Sequence, residues 1–365
     1  MLVLFLVKNE KKNFMKKKLH LNLIPLFVIS FILVSCSSYN SLTIGVTEPA
    51  PVDFPASIKS VGLVNRTINV DSDNNLFEGI DKVLSLEGKE LDKIGAERAI
   101  TGLYDGLSGL ERFESIKRIE TTDIKGSVMA VFPAPLSWEK IDEICKANGV
   151  EAIFELSFYD TDASFAFDAV PVNVATPVGT TVTLPEHQLT ITTFVKTGWR
   201  IYDNTTKSIR DEFIVTEKQV SKGRGINPMI AYETITGRKE AVLQISNNIG
   251  KNYGFRIMPY YTRVSRIYYV RGTPNFKVGK RRAQVGDWHG AAKLWEKELD
   301  NPKRKIAGRA CYNMAVINEI DGNLEDAVVW AAQSYTDYRN KEGLKYKRIL
   351  ENRMSRINRL KNQQE

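Results

Sequence analysis

Apolar and polar positions change period several times along this chain, and each change marks an element. Residues 58–64 (IKSVGLV) read as a strand that ends at Asn65-Arg66-Thr67. From about residue 90 to 110, Leu91, Ile94, Ala99, Leu103, Leu107 and Leu110 recur at helical spacing and predict an amphipathic helix. Residues 113–119 alternate as a strand does. Ser137 has the side chain of a helix N-cap, ahead of an apolar stripe of Trp138, Ile141, Ile144 and Cys145, and Asn148-Gly149 is a stop signal. Residues 150–159 (VEAIFELSFY) carry the strongest strand pattern. This succession of strand, helix, strand, helix, strand predicts an α/β layer whose sheet is at least partly parallel.

The next stretch differs. Residues 163–185 hold a single charged side chain, Asp168, among Ala, Val and Thr, with Pro171, Pro177, Gly179 and Pro185. They predict an extended hairpin inserted at the edge of the sheet, either a covered β-hairpin or a partner-binding or membrane-contacting tongue. Residues 189–195, 197–202 and 209–216 read as a meander with a turn at Asp203-Asn204. Residues 228–253 read as one long helix through Ala231, Ile235, Ala241, Val242, Ile245 and Ile249. The tyrosine- and arginine-rich residues 256–270 read as a half-buried strand and linker.

Beyond residue 272 the pattern is that of paired helices. Val285-Gly286-Asp287-Trp288-His289-Gly290-Ala291 resembles the turn and second-helix start of a tetratricopeptide repeat, and so does Asp321-Gly322-Asn323-Leu324-Glu325-Asp326-Ala327. Gly286 and Gly322 lie 36 positions apart, close to the period of about 34 residues of that repeat. Glycine permits the tight turn, and Asp287 or Asn323 caps the next helix. Trp288 or Leu324 then enters the core, and Ala291 or Ala327 lets paired helices approach. Ala331 and Tyr335 stand where the second repeat needs a small and a large residue. The usual proline at repeat ends is displaced to Pro302, and residues 342–360 serve as a capping helix.

The N-terminal stretch changes the reading of the whole chain. Lys16, Lys17 and Lys18 precede an apolar run over residues 23–34, and Leu33-Val34-Ser35-Cys36 fits the bacterial lipobox. The run is too short to span a membrane comfortably and has the form of a signal peptide. Lipidation at Cys36 is therefore expected, with Met15 as the start, a signal peptide over residues 1–36 and a tether over 37–55. An α/β domain over 56–270, with the hairpin 163–185 inserted, and a helical module over 272–365 complete the expected organisation. In lipoproteins of the Bacteroidetes type, which this N-terminus resembles, an acidic cluster after the lipidated cysteine acts as a surface-export signal. Residues 37–41 carry none, so the resemblance implies the periplasmic face of the outer membrane rather than the cell surface.

The full chain carries a net charge of +8, but residues 36–365 hold 45 basic against 42 acidic residues, so a nucleic-acid partner loses its electrostatic support. Residues 36–255 carry 22 basic and 30 acidic side chains, whereas 256–365 carry 23 and 12. That asymmetry predicts two modules, the second attracting an acidic protein surface, either an envelope partner or the first module. Cys145 and Cys311 sit among apolar neighbours and read as buried free thiols.

Chemistry is sparse. His187 and His289 accompany no metal-ligand spacing, and the chain has no H-E-x-x-H, C-x-x-C, P-loop or G-x-S-x-G. The stretch Asp71-Ser72-Asp73-Asn74-Asn75 begins like a calcium loop, but Leu76 and Lys82 occupy the positions that need Gly and Glu. No cofactor, metal or catalytic constellation is expected.

With the lipobox, residues 268–299 (YYVRGTPNFKVGKRRAQVGDWHGAAKLWEKEL) and the closing LKYKRILENRMSRI resemble an uncharacterised family of Bacteroidetes lipoproteins with a tetratricopeptide-like C-terminal region. The order of elements over 58–160, leading into ANGVEAIFELSFYD, also resembles the α/β domain of the curli-secretion lipoproteins. These resemblances imply an α+β/α chain: an N-terminal α/β sandwich-like domain with a mixed sheet, then an all-α tetratricopeptide-like helical repeat module. The expected function is a non-enzymatic envelope lipoprotein acting as a protein-interaction scaffold. The alternative is an assembly or secretion accessory that self-associates, and an envelope hydrolase ranks last.

Overall fold

The computed structural model describes residues 38–67, 80–120 and 131–364, with the side chains of residues 80–90 set aside. Cys36, the signal peptide and the stretch 71–75 lie outside the described residues. The chain divides into two compact units, one of Thr47–Tyr260 with Ile357–Glu365, the other of the chain up to Val46 with Tyr261–Arg356.

The first unit is built on a mixed five-stranded sheet in the order β3-β2-β4-β5-β6: β3 is Ser115–Ile119, β2 Ser60–Asn65, β4 Ala152–Ala175, β5 Thr181–Asp203 and β6 Ser208–Gly225. The β2–β3 and β2–β4 pairs are parallel, and β4–β5 and β5–β6 antiparallel. The parallel half follows from the alternation of strands with the helices α1 (Ile80–Ser108) and α2 (Trp138–Asn148). Helix α1 starts at Ile80, earlier than the expected residue 90. Ser137 caps α2 by accepting from Lys140 N, and Gly149 closes it at φ 62°.

Two layers of helix cover the sheet. On one face, Leu91, Ala99, Leu103 and Leu107 of α1 pack with Phe154, Leu156 and Trp199 of the sheet and with Val242, Ile249 and Tyr253 of a later helix. On the other, Ile141, Ile144 and Cys145 of α2 pack against Val64, Ile153 and Tyr202. The later helical stretch is not continuous: α3 is Pro228–Glu233 and α4 is Arg238–Gly254. The β-branched Thr234, Ile235 and Thr236 lead into Gly237, whose φ of 72° ends the helical path. Helices α1 and α4 meet at glycines. A Cβ on Gly250 would stand 1.8 Å from the Ala99 carbonyl oxygen, and one on Gly102 would stand 1.9 Å from that of Asn247.

Strands β4 and β5 run on as single elements through the stretch expected as an inserted hairpin. Lys196, expected at the break between two strands, pairs in mid-strand with Asp160. Strand β6 reaches only to Gly225, opposite His187, so the last part of the arm is two-stranded. Its turn is closed by Thr176 N donating to the Thr180 carbonyl at 2.7 Å and by Gly179 at φ 79°.

The second unit opens with β1 (Tyr39–Glu48), which pairs with β7 (Tyr260–Tyr269). Residues 39–48 were expected as tether. The alternation of Leu42, Ile44 and Val46 makes them a strand once β7 supplies an edge. Five helices follow: α5 (Pro274–Gln284), α6 (Trp288–Glu296), α7 (Arg304–Ile320), α8 (Leu324–Thr336) and α9 (Lys341–Gln364). None of the described helices is long and apolar enough to cross a membrane.

Candidate functional site

The residues singled out in the helical region fall at two turns with the same backbone bonding. At the first, Gly286 N donates to Ala283 O, Asp287 N to Arg282 O, Trp288 N to Gly286 O and Ala291 N to Asp287 O. At the second, Gly322, Asn323, Leu324 and Ala327 repeat those four bonds at positions 36 higher. Both glycines have φ 83° and open space around a hypothetical Cβ, so conformation alone demands them.

Ala291 and Ala327 are fully buried and Leu324 nearly so, whereas Trp288 is half-buried with its ring edge-on to Tyr268 at 5.4 Å. Asp287 caps α6 by accepting from Gly290 N, but Asn323 makes no side-chain cap bond. Ala331 is buried as expected, while Tyr335 points outward and is 39% exposed. The aromatic filling α5 and α6 is Trp295, fully buried over Gly279, where a Cβ would stand 2.6 Å from the indole nitrogen. These residues set helix packing and together form no pocket of reactive groups.

The polar core of this unit escaped the sequence reading. Glu319, 1% exposed on α7, accepts from Arg266 Nε and Nη2 of β7 at 2.8 and 2.9 Å, from Arg353 Nη1 at 2.6 Å and from the Tyr346 hydroxyl at 2.5 Å. Burial opposes ionisation there, but the Arg266 and Tyr346 bonds outweigh it and hold the carboxyl below its usual range. Asn313 is also buried and brackets Tyr269, accepting from its N–H at 2.7 Å and donating to its carbonyl at 2.8 Å. One Glu and two Asn in an amphipathic helix give no sequence signal for such long-range pairing.

In the sheet unit, Arg200 of β5 lies buried between Glu155 and Glu212 and over the Phe132 ring. Its Nη2 also donates to the Pro133 carbonyl at 3.1 Å. Asp92 accepts from the Thr161 N–H and hydroxyl at 2.7 and 2.6 Å. Burial lifts its carboxyl to about 7, against those bonds. Its partners make it a clamp between α1 and β4. The Cys145 and Cys311 thiols are free, buried and pushed by desolvation up to about 11, away from nucleophilic chemistry. His289 is exposed, 3.8 Å from Asp321, and His187 lies on the exposed arm. The described residues contain no cluster of His, Cys, Asp or Glu able to hold a metal.

The base of the arm is covered where Leu189 and Ile191 pack on Ala231, but Phe165 and Phe167, their register partners on β4, are exposed, and so beyond them are Val174, Val182 and Leu184, with Val178 at the tip 84% so. Of the two forms expected, a covered hairpin and an exposed tongue, the arm is uncovered beyond its base, because α3 is a six-residue helix that reaches only the base.

Against known families, residues 58–269 match the model of a domain of unknown function, DUF8603, and residues 277–356 that of a second one, DUF6340. The chain belongs to the DUF8603 family. No curated protein matches it. Among solved structures it is similar to the "PelC dodecamer from Paraburkholderia phytofirmans", at 9% identity over 57% of this chain and 94% of that one, with a TM-score of 0.20.

Proposed function

We propose that the protein is an envelope lipoprotein that acts by binding another protein, with its helical unit as the platform. The observation that carries this is the pair of matched turns at Gly286 and Gly322. Their repetition supports reading α5–α8 as two tetratricopeptide-like helix pairs with α9 as cap, an architecture whose stacked helices form binding surfaces. Residues 256–365 carry a net charge of +11, which favours an acidic partner surface. Val285, Val329 and Ile349 are exposed among those cations and supply apolar contact.

The anchor in this reading is the lipid on Cys36, at the periplasmic face of the outer membrane. Fatty-acid labelling of the wild type against Cys36→Ser checks it, and equal label in both removes the anchor. For the platform, a photo-crosslinker at Val329 and another at Ile349 in the native envelope should give the same adduct, weakened as salt rises. Absence of any adduct at both positions, or the same adduct from exposed positions of the sheet unit, refutes the platform.

The exposed arm favours self-association as a second reading. Among the described residues β4 has no strand partner on the side away from β5 beyond Leu156, and past the Thr161–Asp92 bond the arm presents an open edge beside apolar side chains. Native mass measurement in detergent should then show an oligomer that Val182→Lys with Leu184→Lys dissociates. A monomeric wild type rules this reading out.

A further inference from the structure

The helical unit contains a cavity of about 390 Å³ that the platform reading leaves unused. Four cations line it, Lys305, Arg309, Arg339 and Lys341, and no carboxylate does. Such a concentration of one sign is costly unless an anion shares it. Arg309 is held in place: its guanidinium lies over the Tyr269 ring at 5.0 Å and donates to the Arg271 carbonyl at 2.7 Å. Tyr269 is fixed in turn by donating to Asn340 Oδ1 at 3.1 Å, which sets the cavity wall. Lys305, Arg339 and Lys341 form no ion pair among the described residues and extend toward solvent around the opening. Arg339 adopts φ 56°, a backbone conformation suited to Gly or Asn, so an arginine stands there against local preference.

The cavity's position in the chain identifies the anion. Ser38 and Tyr39 complete the lining, and the Ser38 carbonyl is tied to Val270 N at 3.0 Å. Ser38 is two residues from Cys36. A chain of two residues spans at most about 7 Å, so an acyl-bearing Cys36 keeps the rim of the cavity at the height of the lipid headgroups. We infer that this cavity binds the phosphate of an anionic lipid headgroup and thereby orients the helical unit on the membrane. The placement rests on the lipid-anchor reading. The chemistry of the cavity, four cations lining one space without an acid among them, does not.

The test uses the Cys36→Ser chain, which lacks the acyl-bearing thiol but keeps every cavity residue, and vesicles of phosphatidylcholine with or without about a third phosphatidylglycerol. The protein is expected to bind only the anionic vesicles. The triple variant Lys305→Gln, Arg339→Gln, Lys341→Gln is expected to lose affinity by about fivefold per cation, the effect of a basic side chain near an anionic surface. The charge-matched variant Lys277→Gln, Arg281→Gln, Lys293→Gln, all exposed and outside the cavity, is expected to stay within about twofold of the parent. Equal losses in the two triples would show that binding follows net charge, and would overturn the site. Failure of the parent to bind anionic vesicles would overturn it as well.

Glycerol 3-phosphate distinguishes the source of the phosphate. Displacement from vesicles at millimolar concentration supports a headgroup in the cavity. Binding of the soluble compound by a protein that shows no preference for anionic vesicles assigns the cavity to free phosphate and ends the lipid assignment. A matching melting temperature for all variants keeps loss of fold out of the comparison. Fatty-acid labelling at Cys36 reports the anchor separately, so either reading can fail alone.

Discussion

Gly250→Ala and Gly254→Ala, one turn apart on α4, should change stability in opposite directions. The Gly250 Cβ would meet the Ala99 carbonyl oxygen at 1.8 Å and Leu103 N at 2.8 Å, all backbone of α1, so no rotamer change relieves it and the helices must separate. The atoms nearest a Gly254 Cβ would be side-chain carbons of Leu103 and Leu107 at 3.4 Å, an ordinary packing distance. Each substitution gains about 0.5–1 kcal/mol from alanine's helix preference over glycine. At Gly250, overpacking of the stiffest kind, toward or beyond the upper end of about 1–3 kcal/mol, outweighs that gain and leaves a net loss of about 2 kcal/mol. For a unit of this size that lowers the melting midpoint by roughly 4–8 °C, whereas Gly254→Ala should raise it slightly. Urea titration followed by circular dichroism measures both. If Gly250→Ala is as stable as Gly254→Ala, α1 and α4 do not approach at these glycines and the packing described for that face is wrong.

The remaining predictions concern charge and the repeat turns. Asp92 has a folded pKa of about 7 against an unfolded value near 4, so the native state holds the extra proton between them and stability falls as pH rises through that window. Asp92→Asn should flatten the pH 4–7 part of the stability profile; an unchanged slope there refutes the assignment. Glu319 has the opposite sign: its folded pKa is depressed, so its contribution is complete above the unfolded value and is lost as pH falls below about 4. Glu319→Gln at pH 7 leaves Arg266 and Arg353 without their buried counter-charge and should cost about 3–5 kcal/mol in urea unfolding. Ala291→Leu and Ala327→Leu should each destabilise by about 1–3 kcal/mol through overpacking, and two unchanged melts would show that these alanines do not face a neighbouring helix.

The sequence exposed what depends on local chemistry. The Ser137 cap, the Gly149 stop and the two glycine turns were legible because each is set by one residue's own conformational or hydrogen-bonding preference. Pairing partners were not. Strand β1 was hidden by Pro49, Pro51 and Pro55 beyond it and by the need for an edge supplied more than 200 residues later. The α1–α4 contact was hidden because Gly102 and Gly250 look like weak helix positions until two backbones meet there. The arm was legible in part. Its uncharged Ala, Val and Thr run with Pro and Gly marked a hairpin but left both a covered strand pair and an exposed tongue open, because composition does not record whether anything lies over a face. The cationic cavity had no signature at all, since its four basic residues come from α7 and from the junction between α8 and α9.

The pairing of β1 with β7 carries a consequence for how the chain matures. The strand that completes the helical unit is synthesised first, and its partner emerges only after the entire sheet unit. Closing that loop from an unfolded chain is entropically costly, and the cost grows with the logarithm of the loop length. A sheet unit that folds early shortens the effective separation between Val46 and Tyr261 and lowers the cost of pairing β1 with β7. A destabilised sheet unit should therefore leave β1 an unpaired edge strand, with Leu42, Ile44 and Val46 available to the wrong partner.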